Sequence, residues 1–202
     1  SPTLRASSTL SPSPTRSPSP TTNPNIDLVI NELLADPHSQ LGDANGDGRI
    51  DAWDDEFIEL VNDSGAALDL SGWSIYDISG LRHLFSAGSV LQNQCAIVVF
   101  GGGSPTGDFG GSLVQIASEG WLTLRNFGDT IYIYDRGGGL VVSYSYGPEG
   151  DEDQSLTRDP DVTGPEPLIR HSLAQGSSGA LFSPGTRIDG GIFHNCFHST
   201  TW

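Results

Sequence analysis

The sequence predicts an all-β chain: an immunoglobulin-like β-sandwich carrying an extended Pro/Ser/Thr-rich N-terminal tail. Three observations lead there. From Ile26 onward, short runs rich in β-branched and aromatic residues recur, separated by Gly, Asp, Asn and Pro. No window carries a 3.6-residue apolar period. Gly accounts for 26 of 202 residues, about twice its average share, which favours turns and strands over long helices.

The chain divides into three parts. Residues 1–25 hold six Pro, seven Ser and five Thr with almost no apolar side chains. Burial cannot offset the ordering entropy of such a segment. Extended polyproline II structure is expected, reaching roughly 75 Å at about 3.1 Å per residue. The composition suits an O-glycosylated stalk, or else a plain linker. Residues 26–190 form the sandwich, and 191–202 a C-terminal extension.

Within the sandwich, strands are expected at Leu28–Leu34, Glu56–Val61, Leu68–Asp77, Leu81–Phe85 and Cys95–Phe100. Further strands are expected at Leu113–Ala117, Trp121–Leu124, Thr130–Tyr134 and Leu140–Tyr146. Strands at this spacing suit a sandwich of immunoglobulin size. Residues 148–189, richer in Pro and Gly, are expected to wrap it.

The succession of segments resembles the bacterial branch of the lamin tail domain family. The resemblance runs through Ile30–Pro37 (INELLADP), Asp55–Asn62 (DEFIELVN), Leu68–Asp77 (LDLSGWSIYD) and Val99–Gly103 (VFGGG). Leu122–Asp129 (LTLRNFGD), Ser155–Asp161 (SLTRDPD) and Leu181–Arg187 (LFSPGTR) complete it, so that it covers residues 26–190. It implies an immunoglobulin-like sandwich without enzymatic activity, often attached to secreted or surface proteins. It names no ligand, because fold and function separate easily.

Charge narrows the partners. The formal net charge is −16, and all nine basic residues are Arg. Such a body repels nucleic-acid phosphates and anionic membranes and attracts divalent cations. No stretch of 18 apolar residues is present, so no membrane span is expected. The chain has no Met, which reads as an initiator lost with a removed leader. Cys95 and Cys196 suit one disulfide in an oxidising compartment, with two buried thiols as the alternative. Together these features place the protein outside the cell or on its surface.

The sharpest motif is Asp43-Ala-Asn-Gly-Asp-Gly-Arg-Ile-Asp-Ala-Trp-Asp54. With Asp43 as position 1, side-chain oxygens fall at Asp43, Asn45, Asp47, Asp51 and Asp54. Gly48 occupies position 6, where the loop turns sharply, and Arg49 position 7, where a backbone carbonyl ligates. Ca²⁺ takes six to eight hard oxygen ligands from a chain wrapped around it. Without a cation, the clustered carboxylates repel one another. The alternative is a solvated acidic loop. The motif resembles the calcium loops of EF-hands and dockerins, with Asp54 where EF-hands carry Glu. Its flanks read as strands, so the ion is expected to pin a long connection rather than drive a signalling change.

Other features carry less. Asp151–Asp153 with Asp159 and Asp161 lacks ligand spacing and reads as a charged loop. His194, Cys196 and His198 on one strand face form a possible Zn²⁺ or Cu²⁺ edge. Trp53, Trp73, Trp121 and Trp202 could form a sugar-stacking platform, but Trp73 and Trp121 read as core. Asn62-Asp-Ser64 matches the N-glycosylation pattern. There is no Gly-x-Ser-x-Gly elbow, His-Glu-x-x-His pair or phosphate loop, so no enzyme is expected. Two functions follow. One is a calcium-braced structural subunit whose terminal segments join copies into a filament or other homopolymer. The other is a stalked binding module for an extracellular glycan or protein.

Overall fold

The computed structural model describes residues 26–194 and 196; the tail with its expected O-glycosylation, His198 and Trp202 lie outside the described residues. In chain order the strands are β1 (Leu28–Leu34), β2 (Phe57–Asn62), β3 (Leu68–Asp69), β4 (Ser74–Asp77), β5 (Gly80–Leu84) and β6 (Val90–Leu91). They continue as β7 (Ala96–Phe100), β8 (Leu113–Ile116), β9 (Asp129–Tyr134), β10 (Leu140–Tyr146), β11 (Leu156–Thr157) and β12 (Ile169–Arg170). A six-stranded sheet, ordered β12-β11-β1-β2-β7-β8, faces a four-stranded sheet, ordered β10-β9-β4-β5, and β3 pairs with β6. The fold is an immunoglobulin-like sandwich.

Alternation builds the core between the sheets. Ile58 and Leu60 of β2 and Ile97 and Val99 of β7 point inward and meet Ile75, Ile131 and Ile133 of the other sheet. The large sheet is also covered on its outer face. Leu34, Phe57, Val98 and Phe100 pack there beneath Phe109 and Phe182, and Val61 and Ala96 beneath Val162 and Phe193. That explains why β2 and β7 are buried along their whole length, unlike a sheet with one wet face.

Three expected elements differ. Leu68–Asp77 breaks at Ser71-Gly72, where Gly72 takes φ +76°, so Trp73 swings into the core between β3 and β4. Trp121–Leu124 is not a strand: Thr123 sits at φ +50°, leaving Leu122 and Leu124 buried and Trp121 exposed. Trp121 is therefore not core. Residues 148–189 do more than wrap, because β11 and β12 extend the large sheet beyond β1.

Candidate functional site

The loop Asp43–Asp54 bridges β1 and β2, and its side chains fold it locally. Asp43 Oδ2 accepts from the Gly48 N–H at 3.0 Å, and Asn45 Oδ1 from the Asp47 N–H at 3.0 Å. Asp47 Oδ1 accepts from the Arg49 N–H at 2.9 Å, and Asp51 Oδ1 from the N–H groups of Trp53 and Asp54 at 2.9 and 3.2 Å. Short Asp and Asn side chains thus supply acceptors for a backbone that makes no ladder. Asp55 closes the base: its Oδ1 accepts from the Asn45 N–H at 3.0 Å and its Oδ2 from the Asp51 N–H at 2.8 Å.

The loop is docked on the segment that follows β7. The Gly101 N–H donates to Glu56 O at 2.7 Å, the Gly102 N–H to Asp54 O at 3.1 Å and the Thr106 N–H to Asn45 O at 2.8 Å. A side chain on this triplet would collide with the loop. A Cβ on Gly101 would overlap the Trp53 carbonyl oxygen, and one on Gly102 the Asp54 carboxylate. That role for Gly101-Gly102-Gly103 is not visible from spacing alone.

Electrostatics inside the loop are uneven. Burial, then the neighbouring charges of Asp51 and Asp47, raise the Asp54 carboxyl above its ordinary range. The two N–H donors at Asp51 hold that carboxyl lower. Asp43 Oδ1 is buried and takes no hydrogen bond. Among the described residues, no three His, Cys, Asp or Glu side chains stand together as a ready-made metal cluster.

A second polar centre lies under the C-terminal wrap. Glu32 of β1 and Glu59 of β2 are directly opposite in the ladder, both fully buried on the outer face of the large sheet. A bulge between Ile30 and Glu32 inserts Asn31, whose side chain is buried beside them. Like charges facing each other across strands are unfavourable, so every acceptor here needs a donor. Glu32 Oε1 accepts from Ser155 Oγ at 2.5 Å and the Ser183 N–H at 2.9 Å, and Glu32 Oε2 from Ser183 Oγ at 2.8 Å. Glu59 accepts from Asn31 Nδ2 at 2.8 Å and the Gly185 N–H at 2.7 Å. His171, fully buried, places Nε2 2.8 Å from Ser183 Oγ and Nδ1 2.9 Å from Ala180 O. Burial raises both glutamates and Asp161; Glu32 also raises Glu59. The one signal in the sequence is a Glu inside each of two largely apolar strands.

Cys95 at the foot of β7 and Cys196 are joined in a disulfide, Cα–Cα 5.7 Å. Cys196 therefore has no thiolate to offer, which removes the His194–Cys196–His198 metal edge. The remaining acids are dispersed. Glu152 pairs with Arg170, Asp159 accepts from the Gln175 N–H, and Asp161 bonds Asn31 and Ile188.

A sandwich antiparallel but for the β7–β8 pair, with loops docked by glycine and a polar centre sealed under its C-terminal wrap, defines a β-sandwich domain of the immunoglobulin-like class. The lamin tail domain profile matches residues 21–148, and the chain belongs to that family. Such domains are non-catalytic as a kind and serve structural or interaction roles. No curated protein matches the chain. Among the described residues, no helix is long and apolar enough to cross a membrane.

Proposed function

We propose that this chain is a calcium-stabilised structural subunit of an extracellular homopolymer, joined to neighbouring copies through its terminal segments. The observation that carries the calcium reading is the loop itself. Side chains at positions 1, 3, 5 and 9 already curl the backbone through its own N–H groups, and Asp43 retains a buried oxygen without a donor. The donor set fits the ion. Asp43, Asn45, Asp47, the Arg49 carbonyl, Asp51 and Asp54 offer only hard oxygens, the chemistry Ca²⁺ selects. Bound there, the dication would offset two of the four carboxylate charges and brace the long β1–β2 connection against the glycine triplet after β7.

Secretion is supported by the disulfide, which persists in oxidising compartments. Assembly is supported by the structural character of the family and by a tail long enough to reach a second subunit. A contact between a tail and a different surface on the next copy is heterologous, and propagates unless it closes into a ring.

Calcium should raise the melting temperature of the full chain at about 10⁻⁴–10⁻³ M, the range of extracellular sites, and a chelator should reverse it. Asp47→Ala should abolish the response; a melting curve indifferent to calcium and chelator sinks the metal. Sedimentation and negative-stain microscopy test assembly. A monomer at every concentration in millimolar calcium ends the polymer reading, and equal assembly without residues 1–25 reduces the tail to a stalk.

A further inference from the structure

We infer that the cleft between the calcium-type loop and the segment after Trp121 binds a neutral pyranose ring of a glycan, with Trp53 and Trp121 as its platform. Two indoles are exposed side by side here. Trp53 is 58% and Trp121 52% exposed, with ring centroids 6.4 Å apart and planes inclined by 59°. Large aromatic rings left in water at two adjacent positions, far apart in sequence, constitute an apolar surface that the core does not use. Both are held in place. The Trp53 backbone N–H donates to Asp51, its carbonyl abuts Gly101, and Trp121 is followed directly by the fully buried Leu122. The inference stands without the calcium reading, because these contacts are made by the chain alone.

Beside Trp53 opens a cavity of about 360 Å³, lined by Asp36, Pro37, Glu56, Thr123 and Asn126 among others. That is the small end of ligand pockets, suited to one ring. One polar group of its lining is left without a partner. Thr123 Oγ1 is buried with no hydrogen-bond partner. Thr123 is also a β-branched residue at φ +50°, a strained conformation that persists only where surroundings impose it. Asn126 Nδ2 donates to Asp36 at 2.7 Å and to Asp151 at 3.3 Å, so an amide and a carboxylate are fixed together at the rim.

A pyranose has one flat C–H face and a rim of hydroxyls that both donate and accept. An indole wall beside a carboxylate, an amide and an unpartnered hydroxyl is complementary to both parts. The charge of the protein selects among sugars: at −16 overall, with Asp36 in the lining, anionic rings are repelled. The two indoles are inclined to each other and do not face across a slot, so they form no cage around an ammonium group; a cation over one exposed face is tested by choline.

The test uses the full chain in millimolar calcium, with cellohexaose, mannohexaose and chitohexaose as neutral probes. Hexagalacturonate and choline are the anionic and cationic controls. Titration calorimetry reports affinity, and tryptophan emission reports the platform. At least one neutral hexasaccharide should bind and shift the emission to the blue. Trp53→Ala and Trp121→Ala should each weaken that binding by about tenfold or more, as aromatic anchors do. Both positions are exposed, so the melting temperatures should stay at the wild-type value; Asn126→Ala supplies an independent third probe of the rim. No binding of any neutral probe, binding unchanged in all three variants, or binding of hexagalacturonate or choline alone would overturn the inference.

Discussion

Ser183→Ala isolates the polar centre under the C-terminal wrap. Ser183 Oγ is the bridge between Glu32 Oε2 and His171 Nε2, 2.8 Å from each, and both of those residues are fully buried. Removing the hydroxyl leaves two buried polar atoms without a partner, each costing about 1–3 kcal/mol, with a charged group at the upper end. The backbone bond from Ser183 N to Glu32 Oε1 remains, so the wrap keeps its place. A loss of about 3–5 kcal/mol is expected. With a urea slope of about 2 kcal/mol per M, the unfolding midpoint falls by about 2 M. The bridge also predicts coupling. In a Glu32→Gln background the same substitution should cost at least about 1 kcal/mol less, because one end of the bridge is already changed. A Ser183→Ala variant within about 1 kcal/mol of wild type and additive with Glu32→Gln refutes the bridge as the source of stability.

Three further outcomes follow from other parts of the fold. Cys95 and Cys196 close a loop with a sequence separation of 101, so replacing both with Ser should cost about 4–5 kcal/mol in urea unfolding; titration of free thiols in the native protein would contradict the bond. Burial raises Glu59, faced by Glu32 and Asp161, with His171 and Arg187 beyond them, so the native state holds protons that the unfolded chain releases. Stability is then fully present below the ordinary carboxyl range and is lost as pH rises through the raised folded values, by about 1.4 kcal/mol per pH unit per proton. Glu59→Gln should flatten that slope; parallel profiles for variant and wild type would reject it. Gly101→Ala should destabilise more than Gly88→Ala, because a Cβ at 101 lies 1.8 Å from the Trp53 carbonyl oxygen, whereas one at 88 meets nothing within 4 Å and adds only the strain of φ +84°. Equal melting temperatures would show that the loop does not dock there.

The strands β1, β2, β7, β9 and β10 were legible because their β-branched and aromatic residues alternate or run together between turn residues. The sandwich was legible from their spacing. What escaped reading was set by contacts distant in sequence. Trp121–Leu124 has strand composition, yet Thr123 takes a positive φ and the segment plugs the sandwich end instead of pairing. β8 runs parallel to β7, a pairing that a hairpin argument does not anticipate. The loop Asp43–Asp54 was plain in the sequence because its acceptors lie at fixed offsets. Its docking partner, Gly101-Gly102-Gly103, was visible only as a resemblance without a role. The cleft was half legible: Trp53 stood out, but Trp121 looked like core until the backbone turned it to solvent.

The buried glutamates bear on where the folding unit ends. The family match stops at residue 148, after β10 has completed the smaller sheet. Yet Glu32 and Glu59 lie in the middle of the larger sheet, and most of their donors come later: Ser155, Ser183 and Gly185. Phe182 and Phe193 cover the apolar residues around them. A sandwich cut at the match boundary would expose that outer face and leave two carboxylates opposed across β1 and β2 with only Asn31 as a side-chain donor. The C-terminal wrap, tied down by the Cys95–Cys196 disulfide, is what makes a strand pair bearing two opposed glutamates compatible with burial. It belongs to the fold as much as the strands it covers.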